Sequence, residues 1–190
     1  MWFSSYKFIL ASSSPRRQQL LKDLGLDFTL EIKEVEEVYP DALKGHQITD
    51  YLSDLKSKPF ENTLRKNEIV ITSDTIVWVN DQALGKPKSY EDAIDMLCML
   101  SGTSHKVITS VCLTGSDFKK IFHDTVTVYF KKLSKQEMEY YVTTFKPFDK
   151  AGSYGIQEWI GKIGITKIEG SYFTVMGLPV HKLYKELQNL

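Results

Sequence analysis

"KFILASSSPRRQQLLKDLG", residues 7–25, holds a strand, a helix and the signal that separates them. The apolar run KFILA (7–11) has the length of a short strand. Ser14 stands where a helix N-cap is needed, Pro15 supplies a preset first turn, and Leu20, Leu21 and Leu24 share one face before Gly25 stops the helix. A strand that hands over directly to a helix opens an α/β chain, and the rest of the sequence repeats the alternation.

FTLEI (28–32) reads as a strand, and HQITDYLSDLK (46–56) as a helix with Ile48, Tyr51, Leu52 and Leu55 at helical spacing. EIVITSDTIVWV (68–79) is strand-rich, with the polar patch Thr72–Thr75 between two apolar halves, and NDQALGKP turns away from it. SYEDAIDMLCMLSG (89–102) is a helix with Ser89 and Asp92 in capping-box spacing and Gly102 at its end. Strands follow at KVITSVCLTG (106–115) and DTVTVYFKKL (124–133), then a capped helix, SKQEMEYYVTTF (134–145), and a long loop, KPFDKAGSYGIQ. Strand material over 163–176 precedes a last helix, LPVHKLYKELQNL, with Val180, Leu183, Tyr184 and Leu187 inward. Repeats, low-complexity tracts and linkers are missing, so residues 1–190 read as one domain, α/β in class, with a mixed twisted sheet flanked by helices.

The chain carries 24 basic and 24 acidic residues, a formal net charge of +0. That balance argues against nucleic acid as a partner, because such binders need a broad excess of Lys and Arg. Any anion site is therefore local. Cys98 and Cys112 lie in apolar surroundings without CxxC spacing and read as core residues of a reducing compartment. The apolar run in MWFSSYKFILASSS is too short for a signal peptide, and no later stretch reaches membrane-spanning length, so a cytoplasmic protein without a membrane partner is expected.

Helix N-termini present unpaired N–H groups and the positive end of the dipole, which makes SSSPRR a ready anion site. Ser12 and Ser14 add hydroxyl donors, and Arg16 and Arg17 add forked guanidinium groups. The two arginines point about 100° apart on a helix, so they cannot both face one phosphate. Taken alone, the same residues also describe a capped helix start with solvated arginines.

Asp74 interrupts an otherwise apolar strand, a costly position that suits a general base or a hard-oxygen metal ligand as well as a turn-forming strand end. Lys86 lies in the tight LGKP loop, which is not a P-loop. Lys56 falls at the edge of a buried helix face, Glu36 and Glu37 form an adjacent carboxylate pair, and Gln157 ends the Gly-punctuated AGSYGIQ. The histidines at 46, 105, 123 and 181 show no HxxxH spacing, and Ser153 is not in a nucleophile elbow, which disfavours zinc and serine-hydrolase chemistry.

In order, ILASSSPRRQQLL, SDTIV, GKP, MLSGTSHKVITSV, DKAGSYGIQ and KIEGSYFTVMGLPV resemble the motifs of the Maf family of nucleoside triphosphate pyrophosphatases, also called septum-formation inhibitor-like proteins. The resemblance covers nearly the whole chain. It implies an elongated, two-lobed single domain with a central cleft, usually a homodimer, that cleaves a nucleoside triphosphate to the monophosphate and pyrophosphate with Mg²⁺ or Mn²⁺. It implies Asp74 as the general base and Arg17, Lys56 and Lys86 as phosphate-facing. Glu37 matches an acidic position and joins Asp74 as a metal ligand. Arg16, Thr75 and Gln157 match positions tied to substrate choice. DKAGSYGIQ and KIEGSYFTVMGLP look like the branch acting on dTTP and UTP, whose O4 acceptor and N3–H donor a glutamine amide can pair. Two departures stand out. The lysine context is LKSKPF, which makes Lys58 a rival to Lys56, and EWIG replaces the family's glycine-rich run after Gln157. The alternatives are a pyrophosphatase preferring another nucleotide, such as 7-methyl-GTP, and a nucleotide-binding cell-division regulator with little turnover.

Overall fold

The computed structural model describes residues 5–190, so the Met1–Ser4 part of the N-terminal run lies outside the described residues. The elements are β1 (Lys7–Leu10), α1 (Pro15–Asp23), β2 (Phe28–Leu30), α2 (His46–Ser57), β3 (Glu68–Val79), β4 (Gln82–Leu84), α3 (Tyr90–Leu100), β5 (Ser104–Thr114), β6 (Lys119–Phe130), α4 (Lys135–Phe145), α5 (Trp159–Gly164), β7 (Ile165–Glu169), α6 (Tyr172–Met176) and α7 (Val180–Leu187). They form a mixed α/β fold on a seven-stranded sheet of order β2-β1-β3-β5-β6-β7, with β4 paired to β3. The chain clusters into two compact units, and β3, β5 and β6 each run through both.

The first unit holds residues up to Asp74, Thr109–Asp124 and Gly177–Leu190. Here β1 lies parallel to both β2 and the first half of β3, with Phe8, Ile9 and Leu10 opposite Ile69, Val70 and Ile71. All six side chains are buried, the continuous apolar pattern that parallel strands require. Ser14 caps α1 by accepting from the Arg17 N–H at 3.5 Å, and Gly25 ends it at φ 75°, as the spacing predicts.

The second unit holds Thr75–Ile108 and Thr125–Met176. The β3–β4 hairpin turns on Asn80 (φ 49°) and Asp81 (φ 57°), two residues that tolerate the left-handed region a tight hairpin needs. In α3, Ser89 accepts from the Asp92 N–H at 3.1 Å, and the Asp92 carboxylate caps the Lys88 N–H at 2.8 Å. Its Ala93, Met96, Leu97 and Leu100 are buried against α4 residues Met138, Tyr141 and Val142.

Two expectations need correction. The strand expected over 163–176 is only β7, flanked by the short helices α5 and α6. Gly164 sits where a Cβ would approach Phe130 to 2.9 Å, and Gly170 (φ 123°) ends the strand. The β-favouring YFTVM then closes one helical turn with Thr174 fully buried, packing overriding propensity. Cys112 is a core residue, but Cys98 is exposed. It follows Leu97 by about 100° around α3, which rotates it off the buried face.

Candidate active site

Arg17 is the structural hub of the first unit. Its Nε donates to the Gly177 carbonyl at 2.9 Å, and its Nη1 donates to the Ser73 carbonyl at 2.9 Å and to Ser12 Oγ at 3.4 Å. One guanidinium thus ties the β1–α1 loop, strand β3 and the turn before α7. Gly177 has φ 109°, which only glycine adopts without strain, and its carbonyl also accepts from Ser73 Oγ at 3.4 Å. Burial pulls Arg17 below its ordinary pKa, and the neighbouring Asp74 carboxylate opposes that shift. Ser12 Oγ also accepts from the Ser14 N–H at 3.3 Å. Arg16, next on the helix, is half-buried.

Asp74, buried on β3, meets Lys56 from the last turn of α2, with Lys56 Nζ 2.6 Å from Asp74 Oδ1. The same ammonium lies 2.9 Å from Glu37 Oε2. Three expected site residues therefore converge on one point. Lys58 does not: its Nζ stands 3.9 Å from Asp54 and over the Tyr51 ring at 5.9 Å.

In the second unit, Thr75 follows in β3 and is half-buried, Lys86 is exposed, and Gln157 is half-buried. The loops carrying the last two are joined, since the Gly152 N–H donates to the Gly85 carbonyl at 3.0 Å. Gly152 (φ 65°) and Ser153 (φ 59°) are successive left-handed residues, and a Cβ on Gly152 would lie 2.7 Å from Val77. Beyond them Tyr141 holds the loop, accepting from the Gly155 N–H at 3.0 Å while donating to the Glu158 carboxylate. Burial and Glu158 push the Tyr141 phenol up, so it remains a donor. Buried Lys150 pairs with Glu158 at 3.1 Å. Tyr141, Lys150 and Glu158 escaped the sequence reading. The one signal was a charged Asp-Lys pair opening a Gly-rich loop. Trp159 of EWIG packs edge-on to Tyr140, 4.9 Å between centroids, and Gly161 admits the Ile156 carbonyl where a Cβ would lie 1.9 Å away.

The model of the Maf-like protein family matches residues 7–190. The chain belongs to the Maf-like family. Two similar relatives are both named dTTP/UTP pyrophosphatase. The Christiangramia forsetii protein is 53% identical over 98% of this chain and 95% of its own. The Flavobacterium johnsoniae protein is 54% identical over 97% of this chain and 95% of its own. Among solved structures, the Staphylococcus aureus Ham1 protein shares the fold, with TM-score 0.56, 17% identity and coverage of 96% of this chain and 98% of its own.

In this Maf-like chain, two sets of side chains suit a cation. Asp74 and Glu37 offer hard oxygens and already converge on one positive charge, the Lys56 ammonium, which fits a Mg²⁺-class ion in donor type. Among the described residues, His46, Asp50 and His123 form a second group, with ligand atoms within 4.8 Å of one another. No helix among the described residues is long and apolar enough to cross a membrane.

Proposed function

We propose that this chain hydrolyses dTTP and UTP to the monophosphate and pyrophosphate, with Asp74 as general base for water attack at the α-phosphorus. The observation that carries the reading is the buried Asp74 carboxylate with the Lys56 ammonium at 2.6 Å. The names of relatives at about half identity support the substrates. A triphosphate offers Lys56 a second anionic partner, which frees Asp74 Oδ1 to accept a proton from water. The water oxygen bonds to the α-phosphorus, the bond from that phosphorus to the bridging oxygen breaks, and pyrophosphate leaves with the electron pair. Lys56 then meets charge developing on the phosphates inside a poorly solvated site, where an aligned cation is worth most. Arg17 holds Ser73, next to the base, through its carbonyl. A divalent ion held by Asp74 and Glu37 would supply Lewis-acid polarisation of a phosphoryl oxygen. Lys86 reaches the phosphates from its loop, while Arg16, Thr75 and Gln157 read the pyrimidine, in this proposal.

The test is pyrophosphate release from dTTP, UTP, CTP, GTP and 7-methyl-GTP with Mg²⁺ or Mn²⁺, for wild type, Asp74→Asn, Lys56→Ala and Lys58→Ala. Turnover of dTTP and UTP should drop about 10²–10⁴-fold in Asp74→Asn and fall in Lys56→Ala, with Lys58→Ala near wild type. Undiminished release by Asp74→Asn overturns the base, and preference for 7-methyl-GTP overturns the substrate.

A further inference from the structure

Helix α2 carries chemistry at both ends. Lys56 lies in its last turn, and His46 opens its first, about 15 Å away along the axis at 1.5 Å per residue. His46 and Asp50 are four residues apart and so share one face. Across from them on β6, His123 stacks on His46, 4.2 Å between centroids and 25° between planes, with its Nδ1 3.4 Å from Asp50 Oδ2. We propose that His46, Asp50 and His123 bind one divalent transition metal of the Zn²⁺ class, at a site separate from the Asp74–Glu37 pair.

Two imidazoles and one carboxylate are a donor set for Zn²⁺, Co²⁺, Ni²⁺ or Cu²⁺ rather than for Mg²⁺ or Ca²⁺. Bonds of 2.0–2.1 Å to a tetrahedral ion put ligand atoms about 3.4 Å apart. The three ligand atoms lie within 4.8 Å of one another, and exposed His46 closes the remainder by side-chain rotation. Water completes the coordination at this open face.

The shell behind the ligands is built to orient them. Ser110 Oγ donates to Asp50 Oδ1 at 2.6 Å and meets Thr49 Oγ1 at 2.6 Å, and both hydroxyl residues are fully buried. Asp50 Oδ1 is thereby pinned from inside and Oδ2 turned to His123, the outer-shell arrangement that supports metal ligands. One turn on, Asp54 pairs instead with the Lys119 ammonium at 2.6 Å. Asp50 carries a hydroxyl and an imidazole in place of a lysine, which keeps its charge available to a cation. Lys182 Nζ anchors the His123 carbonyl at 2.8 Å, and Asp124 at 2.7 Å offsets its charge.

The experiment uses the full chain in excess Mg²⁺, which occupies the hard-oxygen pair, titrated with Zn²⁺ by calorimetry and with Co²⁺ by visible absorption. The expected result is one ion per chain with the intense d–d bands of a low-coordinate cobalt site. His46→Asn and His123→Asn should each weaken Zn²⁺ binding by about tenfold or more, while leaving Mg²⁺-supported pyrophosphate release within about twofold of wild type. Stoichiometric binding that survives the double variant places the ion elsewhere and overturns the proposal, as does the lack of saturable Zn²⁺ binding by wild type. Loss of pyrophosphate release by wild type in Mg²⁺ would count against the proposed function alone, because the metal titration does not depend on turnover.

Discussion

His105 gives the protein a built-in sensitivity to mild acid. Its imidazole is buried in the second unit, stacked on Phe130 at 5.7 Å and edge-on to Tyr154, with Nε2 2.8 Å from the Tyr154 hydroxyl. Its Nδ1 has no hydrogen-bond partner among the described residues, so the protonated ring would be a buried charge with one N–H left unsatisfied. Burial accordingly lowers its pKa from 6.5 to about 4. In the unfolded chain the ring takes up a proton below pH 6.5, and in the folded chain only below about 4. Between those values the unfolded state binds more protons, so stability falls as pH falls. At 1.36 kcal/mol per pH unit the full loss is about 3 kcal/mol by pH 4, with about 1.4 kcal/mol gone by pH 5.5. His105→Phe keeps the ring stacking and removes the titration. Urea unfolding of both proteins at pH 7, 5.5 and 4 isolates the effect, because every other titrating group is shared. The stability difference between wild type and variant should move against wild type by about 3 kcal/mol across the series. A difference constant within about 0.5 kcal/mol would refute an imidazole kept neutral by burial.

Tyr141→Phe removes the phenol between the Gly155 N–H and the Glu158 carboxylate, and should cost about 2 kcal/mol in urea unfolding. It should also raise KM for UTP more than it lowers kcat, since the loop it holds ends in Gln157. Ser153→Gly should stabilise the chain by about 1 kcal/mol. Ser153 sits at φ 59° with a buried hydroxyl that has no partner among the described residues, and the thermal midpoint reads the gain.

What the sequence made legible was local. The Ser14–Pro15 start of α1, the capped start of α4 and the strand over Glu68–Val79 follow from residues within a few positions of one another. The sequence left Lys56 and Lys58 as rivals for one phosphate-facing place and gave no sign that Lys56 meets Asp74. Choosing between Lys56 and Lys58 needs the rotation of α2 on β3, which tertiary packing decides. The Tyr141–Glu158–Lys150 tie and the His46–Asp50–His123 group join residues distant in sequence, so no spacing rule announces them. The 163–176 stretch misled because its β-branched and aromatic residues serve packing in two short helices as readily as in a strand.

The zero net charge of the chain makes the local charge balance of the proposed site decisive. Arg17 and Lys56 are matched there by Asp74 and Glu37, two positive side chains against two negative. Within that set the Lys56 ammonium is shared by both carboxylates, so the buried Asp74 charge has a partner before any ligand arrives. On the proposed reading, the several negative charges of a triphosphate are met by Lys56, Lys86 and the divalent counter-ion of the nucleotide, and the buried groups contribute position. Arg17 illustrates the division. Three of its contacts go to Gly177, Ser73 and Ser12, so the guanidinium that the sequence reading assigned to phosphate also fixes the strand carrying the base. Replacing it by lysine keeps the charge and loses the fork that spans those acceptors, so the charge and positioning roles are separable at one residue.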